Sequence, residues 1–205
     1  MAKAATTIRS LLSLFVILSL LAVLGADDGV GGGGSRRCPL IPSMTAERAC
    51  GAVAGTRRML ELCLSTLRAG ASAGAGAAVP VTLHAAAAVR GALDAYAATV
   101  AAATTLLDGG AVPADGERAA FGDCMVGYGR ARGAMARVAG DLAAGGCDRA
   151  AGIKAGYTAG LRGMDGCSRG LLNYPASPLY ARNLADRNVT LLAALLCSLV
   201  PAPPA

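Results

Sequence analysis

Tryptophan is absent from this 205-residue chain, and the other aromatics are two phenylalanines and five tyrosines. So little stacking surface argues against a nucleic-acid binder. His84 is the only histidine, which excludes a multi-histidine metal centre. A nucleophilic triad would depend on this one alanine-flanked position, which reads instead as a partly exposed helix residue. Cys-x-x-Cys, Gly-x-Ser-x-Gly and the phosphate-loop pattern are missing as well. The GAGA near residue 74 and the run Gly31 to Gly34 follow no strand, so they read as linkers. Carboxylate pairs such as Glu117 with Asp123 read as solvated helix faces, because no apolar cleft can be inferred around them. These absences leave no acid–base machinery, no metal and no cofactor to expect, and an enzyme is the least supported class.

What is present begins with Lys3 and Arg9, the apolar run LLSLFVILSLLAVL, and the small residues Gly25 and Ala26. That order predicts a secretory signal peptide over 1–26, too short and wrongly flanked for a stable membrane span. Residues 27–37, DDGVGGGGSRR, have almost nothing to bury and read as a flexible arm. One domain of ordinary size follows over 38–200, and 201–205 form a proline-rich tail. Removing the leader lowers the formal charge from +6 to +4, with 17 basic residues against 13 acidic ones. The arginines lie among acids and form no polybasic tract.

Hydrophobic spacing along the domain is helical throughout. Thr56 can cap a helix whose face is Met59, Leu60, Cys63, Leu64 and Leu67. Val89, Leu93, Tyr96 and Val100 mark a narrow seam on an alanine-rich helix over 81–107. Phe121, Cys124, Tyr128, Met135, Val138 and Leu142 repeat the pattern over 117–143, and Gly145 with Gly146 stops it. A further helix after Asp148 carries Gly152, Gly156, Gly160 and Gly163, a spacing that predicts close contact with a neighbour along a glycine face. NYPASP at 173–178 is an extended or turning connector before the last helix, about 179–200. The expected class is all-α: an up-down-up-down bundle of four helices, each about 20 residues long, preceded by a helical hairpin.

All seven cysteines follow the leader, and the odd number leaves at least one thiol unpaired. On one continuous helix Cys50 and Cys63 would lie about 19.5 Å apart, whereas a disulfide needs Cα atoms within about 7 Å. Either the helix breaks or the bond does not form. Gly51, Gly55 and Thr56 weaken the helix between them, which favours a disulfide-closed hairpin with a helix end at Cys50 over a pair of buried thiols. The midpoint of Cys124 and Cys167 falls between Gly145 and Gly146, so a turn there sets the two cysteines level on antiparallel helices, where a bond would staple them. Cys197, in an apolar run, reads as a buried thiol. Cys38 and Cys147 could pair only if the arm reached the 145–147 turn, and they are not expected to.

As a set, the secretory start, the early pair Cys50 and Cys63, GDC at 122–124, Cys167 followed by SRGLL, and PLYARNLADRNVTLLAALL resemble the plant invertase and pectin methylesterase inhibitor family over roughly residues 38–200. The resemblance implies a hairpin before a four-helix bundle, with Cys50 bonded to Cys63 and Cys124 to Cys167. It also implies a non-catalytic protein of the apoplast, cell wall or vacuole that docks on pectin methylesterase or acid invertase and obstructs the substrate cleft. The chain departs from the family pattern in three places. Twelve residues separate the first cysteine pair, about one helical turn more than usual. YTAGLRGMDGC only loosely matches the stretch usual before the fourth cysteine. A Pro-Lys-Phe element typical of the invertase-directed branch is missing, which tilts the expected target toward pectin methylesterase.

Counting outward from the buried seams places Arg90 and Asp94 on the first long helix and Arg130 and Arg137 on the second as exposed docking candidates. Asn188, Val189 and Thr190 form an N-glycosylation pattern inside a helix. The competing readings are a secreted carrier of lipid or another small molecule, and a structural apoplastic protein without an enzyme target.

Overall fold

In the computed structural model, residues 39–69, 76–110 and 115–203 are described. The expected signal peptide, the glycine arm and Cys38 lie outside them. Elements run β1 (Ser43–Met44), α1 (Ala46–Val53), α2 (Arg57–Ala69), β2 (Val79–Pro80), α3 (Val81–Asp108), α4 (Asp115–Ala143), α5 (Ala150–Gly170) and α6 (Pro178–Cys197).

The last four helices pack as a ring in chain order: α3 on α4, α4 on α5, α5 on α6, and α6 back on α3. Short antiparallel connections make this order the economical one. Helices α3 and α4 have 28 and 29 residues, well beyond the expected 20 or so, while α5 and α6 have 21 and 20. Alanine explains the extra length of α3, since it extends a helix without adding bulk. Gly145 and Gly146, at φ 118° and 71°, turn the chain between α4 and α5 in a conformation that disfavours residues with a Cβ.

Helices α1 and α2 pack on each other and against α3 and α6. Thr45 caps α1, its hydroxyl accepting from the Arg48 amide at 3.2 Å, and the Thr56 hydroxyl accepts from the Met59 amide at the start of α2. Contrary to the expected end at Cys50, α1 continues to Val53, so the reversal occupies only Ala54 to Thr56. Cys50 and Cys63 are bonded with Cα atoms 5.7 Å apart.

A two-residue antiparallel pairing, Ser43 with Pro80 and Met44 with Val79, ties the entry segment to the start of α3. His84 completes this tie. It is buried, not partly exposed, and its Nε2–H donates to the Met44 carbonyl at 2.9 Å. Spacing on α3 could not reveal this, because the burial comes from a segment 40 residues earlier.

Cys124 and Cys167 join α4 to α5, with Cα atoms 4.3 Å apart. Cys147, for which a bond was not expected, is buried and disulfide-bonded too. Cys197 is a free, buried thiol, and desolvation pushes its pKa up to about 12. It is therefore chemically inert at physiological pH.

Candidate docking face

Four glycines set the distance between α4 and α5. A Cβ on Gly163 would come 2.7 Å from the Gly127 carbonyl oxygen, and one on Gly127 would come 2.8 Å from that of Gly163. Neither fits, because the obstacle is backbone. Further along, a Cβ on Gly156 would strike Val138 and one on Gly160 would meet the Met135 sulfur at 3.0 Å. The glycine spacing on α5 thus does what it predicts, bringing two helix backbones together.

Outward of this seam lies an open furrow of about 790 Å³. Gly127 and Gly163 lie on its floor, Arg130 and Arg137 rise on the α4 side, and Arg162 rises on the α5 side. All three arginines are exposed. Ion pairs among the described residues join Arg57 to Glu61, Arg149 to Asp141 and Arg187 to Asp165, and none uses the furrow arginines. Asp165, one turn along from Arg162, is held by Arg187 of α6 at 2.5 Å. The carboxylate that lines the furrow is Asp123. A Cβ on Gly133 would sit 3.9 Å from Arg137 Nη1, so that guanidinium reaches back over the glycine.

Of the docking candidates read from sequence, Arg130 and Arg137 therefore share one feature, joined by Arg162, which the sequence reading missed. Arg90 and Asp94 are exposed on α3 and do not line the furrow. The available signal for Arg162 was its place in GLRGMDG, beside the glycines that bring α5 against its neighbour. Asn188 is half-buried on α6, and Thr190 of its glycosylation pattern is fully buried. A glycan there would have to be added before α6 packs.

Behind the furrow the bundle axis holds a polar chain that the sequence reading did not identify. Tyr96 and Tyr128 meet edge to face, their ring centroids 5.8 Å apart. The Tyr128 hydroxyl donates to Asp186 Oδ2 at 2.7 Å, and the Tyr96 hydroxyl bonds Thr190 Oγ1 at 2.5 Å. Thr190 Oγ1–H in turn donates to the Asp186 carbonyl at 2.7 Å. Asn183, fully buried, accepts from the Ser168 hydroxyl at 2.6 Å. Burial holds the Asp186 carboxyl above the usual carboxylate range, against the lowering effect of its hydroxyl donors Tyr128 and Thr99 and of the Arg182 charge. Burial also pushes Tyr96 up to about 12, and raises Tyr128 together with the Asp186 contact. With the tyrosines protonated, these groups are internal ties for the bundle and are closed off from a substrate. The sequence did hold the clue: Leu179, Asn183, Asp186, Thr190, Ala193 and Cys197 step by four and three along the seam of α6.

No protein-family model matches the chain, and no curated protein matches it. Solved structures do. A mutant form of a pectin methylesterase inhibitor from Arabidopsis superposes with a TM-score of 0.61 at 17% identity, over 78% of this chain and 99% of that one. A pectin methylesterase inhibitor from Arabidopsis thaliana superposes with a TM-score of 0.54 at 16% identity, over 76% and 95%. At such identities it is the fold that is shared. A helical hairpin closed by Cys50–Cys63 before a ring of four helices stapled by Cys124–Cys167 is, in this divergent sequence, the fold of the pectin methylesterase inhibitors.

Proposed function

We propose that the chain is a secreted, non-catalytic inhibitor that docks on a cell-wall carbohydrate-active enzyme and occludes its substrate cleft. The observation that carries this reading is the fold shared with pectin methylesterase inhibitors over 99% and 95% of their chains. Among targets, pectin methylesterase is favoured over acid invertase, because that is the enzyme named for the similar structures and no invertase-branch element is present. The leader read over 1–26 routes it to the apoplast, the vacuole being the alternative.

Occlusion suits a rigid body. Two staples hold the helices in place before contact, so little ordering entropy is lost on binding. Helices α1 and α2 pack against α3 and α6, and the candidate residues on α3 and α4 stay exposed beside them. The docking patch is assigned to Arg90, Asp94, Arg130 and Arg137 on the exposed faces of α3 and α4. A carrier role finds no support at the bundle axis, where Tyr96, Tyr128, Met135, Met164 and Leu192 are packed and fully buried.

The test is titration of oxidised mature chain against pectin methylesterases and acid invertases from acidic to neutral pH. Stoichiometric loss of pectin methylesterase activity is expected, and no inhibition of any isoform in either class would overturn the reading.

A further inference from the structure

We propose that the furrow between α4 and α5 is a binding site for a linear polycarboxylate, specifically a polyuronate chain lying along it. The argument begins with unspent charge. Arg130, Arg137 and Arg162 line the furrow without ion-pair partners among the described residues; Asp123 is the one carboxylate in the lining, against three guanidinium groups, and the nearby Asp165 is taken by Arg187. Guanidinium groups match carboxylates with paired, charge-assisted hydrogen bonds, and they do so best where the anion is presented repeatedly in one geometry.

Shape narrows the ligand further. Arg130 and Arg137 are seven residues apart on one helix, about 10.5 Å along its axis, and Arg162 faces them from the other helix. A ligand with anionic groups repeated along its length can contact all three at once, whereas a single small anion cannot. The glycine floor carries no side chain, so a sugar ring can lie against the backbone between the arginine walls. A protein inserted into the furrow itself, as distinct from one docking across the outer faces of α3 and α4, would gain most from an aromatic or apolar anchor buried at its centre. The large hydrophobic residue offered is Val126, 53% exposed, and no aromatic side chain lines the furrow. The furrow also lies away from the hairpin, which packs on α3 and α6, so a long chain can run across it unhindered.

The experiment uses the oxidised mature chain and a fluorescently labelled, fully de-esterified oligogalacturonide, with binding read by polarisation at physiological salt. Saturable binding is expected, weakened about tenfold or more by the triple substitution R130Q/R137Q/R162Q and by methyl esterification of the ligand, since each removes the ionic partner. The matched triple R48Q/R58Q/R68Q removes the same charge from exposed hairpin arginines and is expected to bind within about twofold of the parent chain. Circular dichroism checks that both triples remain folded. Equal weakening by the two triples would show attraction to net charge and overturn the site. Equal binding of the esterified oligomer, equally tight binding of dextran sulfate, or no binding at all would overturn the ligand class. If the furrow triple loses inhibition of pectin methylesterase and the oligogalacturonide does not bind, the furrow is a protein-docking face and the proposal fails. The binding arm contains no enzyme, so its failure leaves the inhibitor reading intact, and a failure of inhibition leaves the polyuronate site intact.

Discussion

Along the α4–α5 seam two helices meet backbone to backbone, whereas α3 and α6 meet through side chains. The first seam depends on Gly127, Gly156, Gly160 and Gly163 and is closed covalently by Cys124–Cys167. The second depends on alanines and on the Tyr96–Thr190 hydrogen bond, and its outer surface is covered by the hairpin. Both use small residues, but to opposite ends. Glycine removes bulk so completely that the surface above it becomes a furrow, while alanine fills a seam that another layer then covers. The open, arginine-walled side is thus closed by glycine contact and a disulfide, while the polar chain lies on the axis between it and the covered side.

The largest effect expected from this contrast is at the covalent closures. Replacing Cys124 and Cys167 by alanine should lower unfolding free energy by about 4 kcal/mol, and replacing Cys50 and Cys63 by about 3, because the longer loop constrains the unfolded chain more. Denaturant unfolding of the two double variants measures the order, and a costlier hairpin pair would invert the view that the α4–α5 seam is the principal staple.

Next is the seam itself. Gly163→Val should cost about 2–3 kcal/mol, because its Cβ meets a backbone carbonyl that cannot move aside. Gly140, on the same face-rich α4 but with open space around it, provides the contrast: Gly140→Ala should stabilise by up to about 1 kcal/mol through helix propensity. If both substitutions were neutral, close backbone approach would not be what holds these helices.

On the other seam Thr190→Val should cost about 1–2 kcal/mol by leaving the buried Tyr96 hydroxyl without its partner. Loss is again read by denaturant unfolding, and the double variant with Tyr96→Phe should recover part of it, since removing both polar groups leaves nothing unsatisfied.

The smallest effect is one of pH. The carboxyl of Asp186 is raised by burial, so the folded state holds its proton more tightly than the unfolded chain does. Its contribution is complete below the ordinary carboxylate value and is lost as pH rises through the raised folded value. The melting temperature should therefore fall from weakly acidic toward neutral pH. Asp186→Asn, which still accepts from Tyr128 and does not titrate, should flatten that part of the profile; an unchanged slope would move its origin elsewhere.

Much of the scaffold was legible in one dimension. The glycine spacing on α5 announced a close neighbour, and the two cysteine pairs fell where a reversal and a two-glycine turn permit them to meet. Other features were not legible for particular reasons. His84 looked exposed because its own helix says nothing about Met44 arriving from an earlier segment. Asp186 and Thr190 were passed over because a polar residue at a seam position is informative only once its partner on another helix is known. Arg162 became part of a site only when α5 was set beside Arg130 and Arg137.

The sequence by itself determined the helical class, the positions of the turns and the small residues that let helices approach, because periodicity, capping and glycine conformational freedom act over a few residues. Tertiary structure alone decided which side of the bundle the hairpin covers, which arginines keep no acidic partner among the described residues and which polar groups are sealed in the core. Those outcomes depend on distances between residues far apart in the chain, and local propensity carries no information about them.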